Sequence, residues 1–243
     1  MKIATLILAS APLLGANQLV TLTGALGATA NFEFSYGSLT VTLTNTTPAH
    51  DAGTLLTDFM FELANPAADP SPSLRPVNSV VGDGRLITVD ANGGVHDYTG
   101  TQQPDWGFGV YNSAIPNVHN GSYLLCTICG AGVTTQYGPS EGILGPGTGP
   151  AATPYSTANG SIKGNGPHNP FFDGKAVFVF QGDHITPLTV ANNVNFSFGT
   201  TFGPELAAST SIVSTPEPVS LLLTGSALVC LSLGVRRRRA GKS

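Results

Sequence analysis

Phe32-Glu33-Phe34-Ser35-Tyr36-Gly37-Ser38-Leu39-Thr40-Val41-Thr42-Leu43-Thr44 is the stretch that decides the fold. Phe32, Phe34 and Tyr36 alternate with Glu33 and Ser35. Leu39, Val41 and Leu43 alternate with Thr40, Thr42 and Thr44, and Tyr36-Gly37-Ser38 between the two runs carries the signal of a tight turn. A period of two belongs to strands, so the segment predicts a β-hairpin with one wet face. The same reading extends outward. Phe59, Phe61 and Leu63 repeat the alternation after Leu55-Leu56-Thr57, and Val80-Val81, Leu86 to Val89 and Trp106 to Tyr111 are further short strand candidates. Val177-Phe178-Val179-Phe180 is apolar at every position and predicts a central strand buried on both faces. Val194, Phe196 and Phe198 alternate with Asn195 and Ser197, which predicts a half-buried one. The proline-rich run from Asn65 to Pro76 is expected as a surface loop, and Gly138 to Pro170 holds too many breakers for regular structure. No twelve-residue window of the body carries a helical stripe. The expected class is therefore all-β: a single β-sandwich or jelly-roll-like domain with long Gly/Pro-rich loops.

Composition narrows what such a domain touches. The chain has 243 residues, with 30 Gly, 18 Pro and only 10% charged residues, which is unlike a helical cytosolic enzyme. Between Asn31 and Thr215 the basic residues are Arg75, Arg85, Lys163 and Lys175, against thirteen acids, a net charge of −9 where the whole chain carries −4. A body so acidic repels nucleic acid and anionic polymers.

The two ends read differently from the body. Lys2 followed by Ile3-Ala4-Thr5-Leu6-Ile7-Leu8-Ala9 and on to Leu14 resembles a secretory leader with a minimal charged end. Small-residue cleavage sites lie after Ala16 and after Ala30, in Ala28-Thr29-Ala30. The second is favoured here, giving a signal peptide of residues 1–30 and a body of residues 31–215. At the other end stand Thr215-Pro216-Glu217-Pro218, the uncharged run from Val219 to Val235, and Arg236-Arg237-Arg238-Arg239. The prolines cannot join a regular element, so the folded domain must stop there. Seventeen uncharged residues make a helix of about 25 Å, enough for a thin hydrocarbon core. Four arginines hold that end on the cytoplasmic side and leave the body outside.

This tripartite tail, residues 216–243, resembles the PEP-CTERM sorting signal of exosortase substrates, with a Pro-Glu-Pro motif, a hydrophobic span and an Arg-rich end in order. The resemblance implies that an exosortase, a transpeptidase-like membrane enzyme, recognises Pro216, Glu217 and Pro218 and removes the transmembrane helix. It also implies a transient stay in the inner membrane, with Arg236, Arg237, Arg238 and Arg239 as the stop-transfer cluster. An ordinary tail anchor is the alternative, and it leaves the helix on the mature protein. The body, from Leu39-Thr-Val-Thr-Leu-Thr-Asn-Thr46 through Asn165-Gly166-Pro167 to Phe196-Ser197-Phe198-Gly199-Thr200, is similar to the XDD-type exosortase-dependent surface proteins. That family has no assigned activity, so the likeness implies location and fold.

Chemistry-bearing residues are sparse. Cys126-Thr127-Ile128-Cys129 has the spacing of half a zinc site or of a redox pair, but no second pair completes it, and Cys230 falls in the span. In an exported chain a local disulfide is expected, with free thiols, a metal or oxidoreductase chemistry as alternatives. His50, His96, His119, His168 and His184 are scattered beside turn residues. Asp90-Ala91-Asn92-Gly93-Gly94 opens like a calcium loop, yet position 101 is Thr, so it is read as a turn; a calcium ion on Asp83, Asp90 and Asp97 is the alternative. Asn45, Asn120, Asn159 and Asn195 begin glycan acceptor triplets of the kind expected by chance. Ser140, Ser156 and Ser161 lack a nucleophile-elbow frame. The sum is an exported surface or extracellular-matrix protein with no catalytic residues, cofactor or metal, and extracellular polysaccharide as a candidate partner. The competing expectation is a carbohydrate-binding module or glycan-acting enzyme on the same signal, with Trp106, Tyr111 and Tyr123 as its stacking rings.

Overall fold

The structure is a computed structural model that describes residues 16–23, 25–65, 71–75, 79–101, 105–110, 121–129, 140–201, 206–207 and 209–214. Its strands, in chain order, are β1 (Ala16–Leu22), β2 (Ala28–Ser35), β3 (Ser38–Asn45), β4 (Leu56–Ala64), β5 (Ser73–Leu74), β6 (Ser79–Val81), β7 (Leu86–Val89) and β8 (Val95–Asp97). They continue as β9 (Asp105–Val110), β10 (Tyr123–Cys126), β11 (Ile143–Leu144), β12 (Phe171–Asp173), β13 (Lys175–Asp183), β14 (Val190–Phe198), β15 (Leu206–Ala207) and β16 (Ser209–Ser214). Among the described residues only two short 3-10 turns interrupt them, at Ala52–Thr54 and Gly166–His168. Among the described residues no helix is long and apolar enough to cross a membrane, and the expected span, 219–235, lies outside them. The protein is all-β.

Two sheets face each other. One has six strands in the order β16-β1-β2-β3-β13-β5; the other has ten, running β6-β9-β10-β4-β11-β12-β7-β8 with β14 and β15 joined at β4. The β2–β3 hairpin pairs Phe34 with Leu39, Phe32 with Val41 and Ala30 with Leu43 on the inner face. All six are at most 1% exposed. Their outward partners are Glu33 with Thr40, Asn31 with Thr42 and Thr29 with Thr44. Gly37 closes the turn at φ 74°, a left-handed conformation that glycine adopts without strain.

Aromatic rings fill the gap between the sheets. Phe32 meets Phe61 edge-on with ring centres 5.4 Å apart, Phe178 meets Trp106 at 5.1 Å, and Phe180 meets Phe108 at 4.7 Å. Each pair joins one sheet to the other, and offset geometries of this kind add to the burial itself. Gln18 adds a polar tie: its buried amide donates to the Ala191 carbonyl and accepts from the Ala191 N–H, both at 2.7 Å, so β1 is clipped to β14. The indole Nε1 of Trp106 donates to the Glu141 carbonyl at 3.1 Å, which satisfies the one polar group of that ring.

Three expectations need correcting. Val177 to Phe180 is not buried on both faces: β13 alternates, with Phe178 inside and Val179 56% exposed. No layer covers that side of the six-stranded sheet among the described residues, so the two valines serve as β-formers on a wet face. Conversely β4, read as half-buried, is buried from Leu56 through Phe61, because the ten-stranded sheet is covered on its outer side as well. The segment from 145 to 170 supplies part of that cover. It makes few ladder bonds, yet Tyr155, Ala158 and Ile162 pack onto Ile87, Val89, Leu144 and Phe171 in a second apolar cluster. Its backbone groups find partners in turns and across to neighbouring strands, such as Tyr155 N–H to Gly93 O and Gly164 N–H to Val89 O.

The sheet also begins earlier than the domain boundary expected at residue 30. β1 starts at Ala16 and pairs along its length with β2, and Ala28 and Ala30 are fully buried inside β2.

Candidate functional site

One chemically unusual place lies on the outer side of the ten-stranded sheet. By strand alternation Asp58 and Met60 point away from Phe59 and Phe61, and across the ladder Asp58 stands opposite Cys126 and Ser197. Asp58 is fully buried. Its carboxylate accepts from Ile128 N–H at 3.3 Å and from the Ser197 and Thr57 hydroxyls. Burial outweighs these bonds and lifts its pKa from 3.8 to about 7. Ile128 sits inside the ring closed by Cys126 and Cys129, which are joined by a disulfide and fully buried. Thr127 N–H adds a bond to Thr57 O at 2.9 Å. Asp58 and Thr57 thus hold the disulfide turn down on β4. Because the sulfurs are enclosed, the arrangement clamps a loop and does not offer an accessible thiol–disulfide couple.

A second place is the outer face of the six-stranded sheet. Asn17, Leu19 and Thr21 of β1, Thr29, Asn31, Glu33 and Ser35 of β2, Ser38, Thr40, Thr42 and Thr44 of β3, and Val177, Val179 and Gln181 of β13 line up there in register, a mostly polar face with Leu19 and the two valines as its apolar members. Two hollows lie along it. One, of about 280 Å³, is lined by Asn17, Glu33, Phe34, Ser35 and Thr40. The other, of about 430 Å³, lies at the opposite end of β3, where Thr44 and Thr46 meet Gly145 and Pro146 and the Asp173-Gly174-Lys175 turn.

The remaining sequence-read residues fall apart in space. Pro216, Glu217, Pro218, Arg236, Arg237, Arg238 and Arg239 lie outside the described residues, as do His119, Asn120, Tyr111 and Cys230. Trp106 is fully buried against Phe178, and Tyr123 is half-buried between Phe61 and Phe108, its hydroxyl accepting from Leu74 N–H. These two rings belong to the core and present no stacking face. Asp90 caps its own turn, accepting from Asn92 and Gly94 N–H, and its other oxygen meets His96 Nε2 at 2.9 Å, which together hold its carboxyl below the usual range. Asp97 pairs with Arg85, while the Asp83 backbone bridges Val177, so the three aspartates do not converge. No group of three metal-binding side chains occurs among the described residues. Of the acceptor triplets, Asn45 is buried, donating to Thr54 O and Ile143 O at 2.8 Å, and Asn159 is exposed.

The sequence reading passed over Asp58, for which an acid inside the apolar run Leu56 to Phe61 was the available signal. It set Tyr36 beside Phe32 and Phe34 on the apolar side of the alternation, but β2 ends at Ser35 and Tyr36 is left 68% exposed in the turn. Compared with known families, curated proteins and solved structures, the chain matches none of them.

Proposed function

We propose that the chain is an exported surface or extracellular-matrix protein that an exosortase sorts and cleaves through its C-terminal tail, and that it has no catalytic activity of its own. The observation that carries this reading is the ordered tail: Pro216-Glu217-Pro218, an uncharged span, and four arginines. The body supports it. A closed disulfide between Cys126 and Cys129 suits an oxidising compartment, and the last strand ends at Ser214, leaving the sorting motif just past the sheet. In this reading the arginines halt translocation, the span parks the chain in the inner membrane, and the extended proline segment offers a backbone that a protease can reach. Cleavage then frees the β domain to the cell surface or matrix, where extracellular polysaccharide is its partner.

The same reading places removal of the leader at the start of β1, after its first residue Ala16, and not after Ala30. Cutting after Ala30 deletes β1 and the first three residues of β2 and removes the Gln18 clip to Ala191. Mass spectrometry of the mature protein from its host tests both ends. Expected are a first residue at Asn17 and no peptide beyond Pro218. Recovery of an intact Arg236 to Arg239 tail rejects the processing claim, and a mature start at Asn31 rejects the placement of the leader.

A further inference from the structure

We infer that the outer face of the six-stranded sheet binds an uncharged polysaccharide strand, seated in the hollow formed by Asn17, Glu33, Ser35 and Thr40. This deepens the proposed function and rests on its extracellular location.

The first support is chemical. Along a strand the outward side chains repeat about every 6.8 Å, and neighbouring strands stand about 4.8 Å apart. Thr40, Thr42 and Thr44 on β3, beside Asn31 and Thr29 on β2, therefore form a lattice of short groups that both donate and accept. A polymer with hydroxyls along its length meets such groups at any register; a peptide strand requires a free sheet edge instead.

The second support is charge. The body between Asn31 and Thr215 carries a net −9, yet on the outward positions of β1, β2 and β3 the one charged side chain is Glu33, which accepts from Asn31 Nδ2 at 3.1 Å. On β13, Lys175 stands at the far end, opposite Thr44, and Asp183 at the other end is offset by its ion pair with Arg75. The face is thus a nearly neutral window in an acidic protein. Polyuronates, nucleic acid and anionic lipid are repelled by the surroundings, and a neutral glycan is not.

The third support is shape. The 280 Å³ hollow is walled by an amide, a carboxylate and two hydroxyls, enough hydrogen-bonding capacity for one sugar unit, and a lone acceptor such as Glu33 suits a pair of adjacent hydroxyls. Tyr36 follows Ser35 at the hairpin tip and is 68% exposed, so the ring most available for packing on a sugar adjoins the hollow in sequence.

Particles of a neutral glucan and of a polyuronate, offered to the full chain in mild detergent, provide the test. Retention is expected on the neutral particles, unchanged between low and high salt, with none on the polyuronate. The Glu33→Ala/Thr40→Ala double variant and Tyr36→Ala should each weaken retention by about tenfold or more, whereas Leu188→Ala, changing an exposed residue off this face, should not. Thermal melts matching the parent keep a binding loss from being read as unfolding. No retention on neutral particles, or retention that the variants leave intact, overturns the inference. A dimer in size-exclusion chromatography that the same substitutions dissolve also overturns it, by assigning the face to a second copy. The tail's processing is measured separately, so a failure here leaves the sorting signal standing, and an unprocessed tail leaves the face to be judged on binding alone.

Discussion

The two sheets obey different rules. In the six-stranded sheet every second residue is core and every other one meets water, and Phe32, Phe34, Leu39 and Val41 are inside because Glu33, Thr40 and Thr42 are not. In the ten-stranded sheet β4 is enclosed on both sides, by the opposing sheet at Phe59 and Phe61 and by outer cover at Asp58 and Met60. A covered outer face relaxes the alternation. It also admits features that a wet face does not, such as a carboxyl group whose pKa enclosure lifts to about 7, and a loop whose apolar residues form a cluster of their own.

The most severe way to break this difference is to strike where the sheets share one core. Phe59 is fully buried, with ring centres of Phe32, Phe61 and Phe196 at 5.9, 5.5 and 5.1 Å. Phe59→Ala should lower stability by about 3–5 kcal/mol, because the rigid ring cage around it cannot collapse into the space. Urea denaturation followed by tryptophan fluorescence reads this directly, since Trp106 lies in the same core. A loss below about 1 kcal/mol means that the sheets do not pack as one unit.

Asp58 probes the outer side of the same strand. Its proton is held more tightly in the fold, at a pKa of about 7, than in the unfolded chain near 3.8. As pH rises from about 4, the unfolded chain loses its proton first and gains stability relative to the fold. Folding stability therefore declines from about pH 4 to about pH 7 and levels above, by on the order of 4 kcal/mol. Asp58→Asn should remove this slope while leaving the rest of the pH profile in place. A wild-type curve with no decline through that window shows the carboxyl to be solvated.

How much of this was legible follows from the same contrast. The two strands of the Phe32 to Thr44 hairpin could be read residue by residue, because alternation records which side is wet; the pattern failed at Tyr36, where the strand gives way to the turn. The Val177-Phe178-Val179-Phe180 run could not, since four apolar β-formers look alike whether a layer covers their outer side or not. In the segment from Gly138 to Pro170, glycine and proline reported the scarcity of ladder bonds but missed β11, where Ile143–Leu144 pairs with β12 and β4. They carried no information about burial, which Tyr155, Ala158 and Ile162 achieve in a cluster with Leu144 and Phe171 and with Ile87 and Val89, more than sixty positions away. Trp106 was misjudged for a related reason: an aromatic residue in a strand suits a core and a sugar platform equally well until its neighbours are known. The tail proposed as a sorting signal is read from order, length and charge alone, with no tertiary contact.

The cover itself is the next target. Ile162 is fully buried in the second cluster, and Ile162→Ala should lower stability by about 2 kcal/mol, the low end for this change, because a loop can settle into the gap more easily than a sheet. Hydrogen exchange sharpens the point. Protection should fall at Gly164 N–H, which donates to Val89 O, while the β2–β3 ladder keeps its protection. An equal fall in both places means that the cover and the six-stranded sheet unfold together.

The smallest effect isolates one bond of that cover. The Tyr155 hydroxyl donates to the Gly145 carbonyl at 3.2 Å from a position only 4% exposed, and burial first, then the charge of Asp173, lifts its pKa to about 12. Tyr155→Phe keeps the ring in the cluster and removes the hydroxyl alone, leaving one buried acceptor without its donor. The expected loss is about 1 kcal/mol, near the net value of a single neutral hydrogen bond together with the desolvation of the carbonyl left behind. Because Tyr155 N–H also bonds Gly93 O, the backbone anchor survives the change and the loop stays seated. If the variant instead costs as much as Ile162→Ala, the cover is held by its polar contacts more than by its apolar ones, and the likeness between the outer cluster and the aromatic core fails.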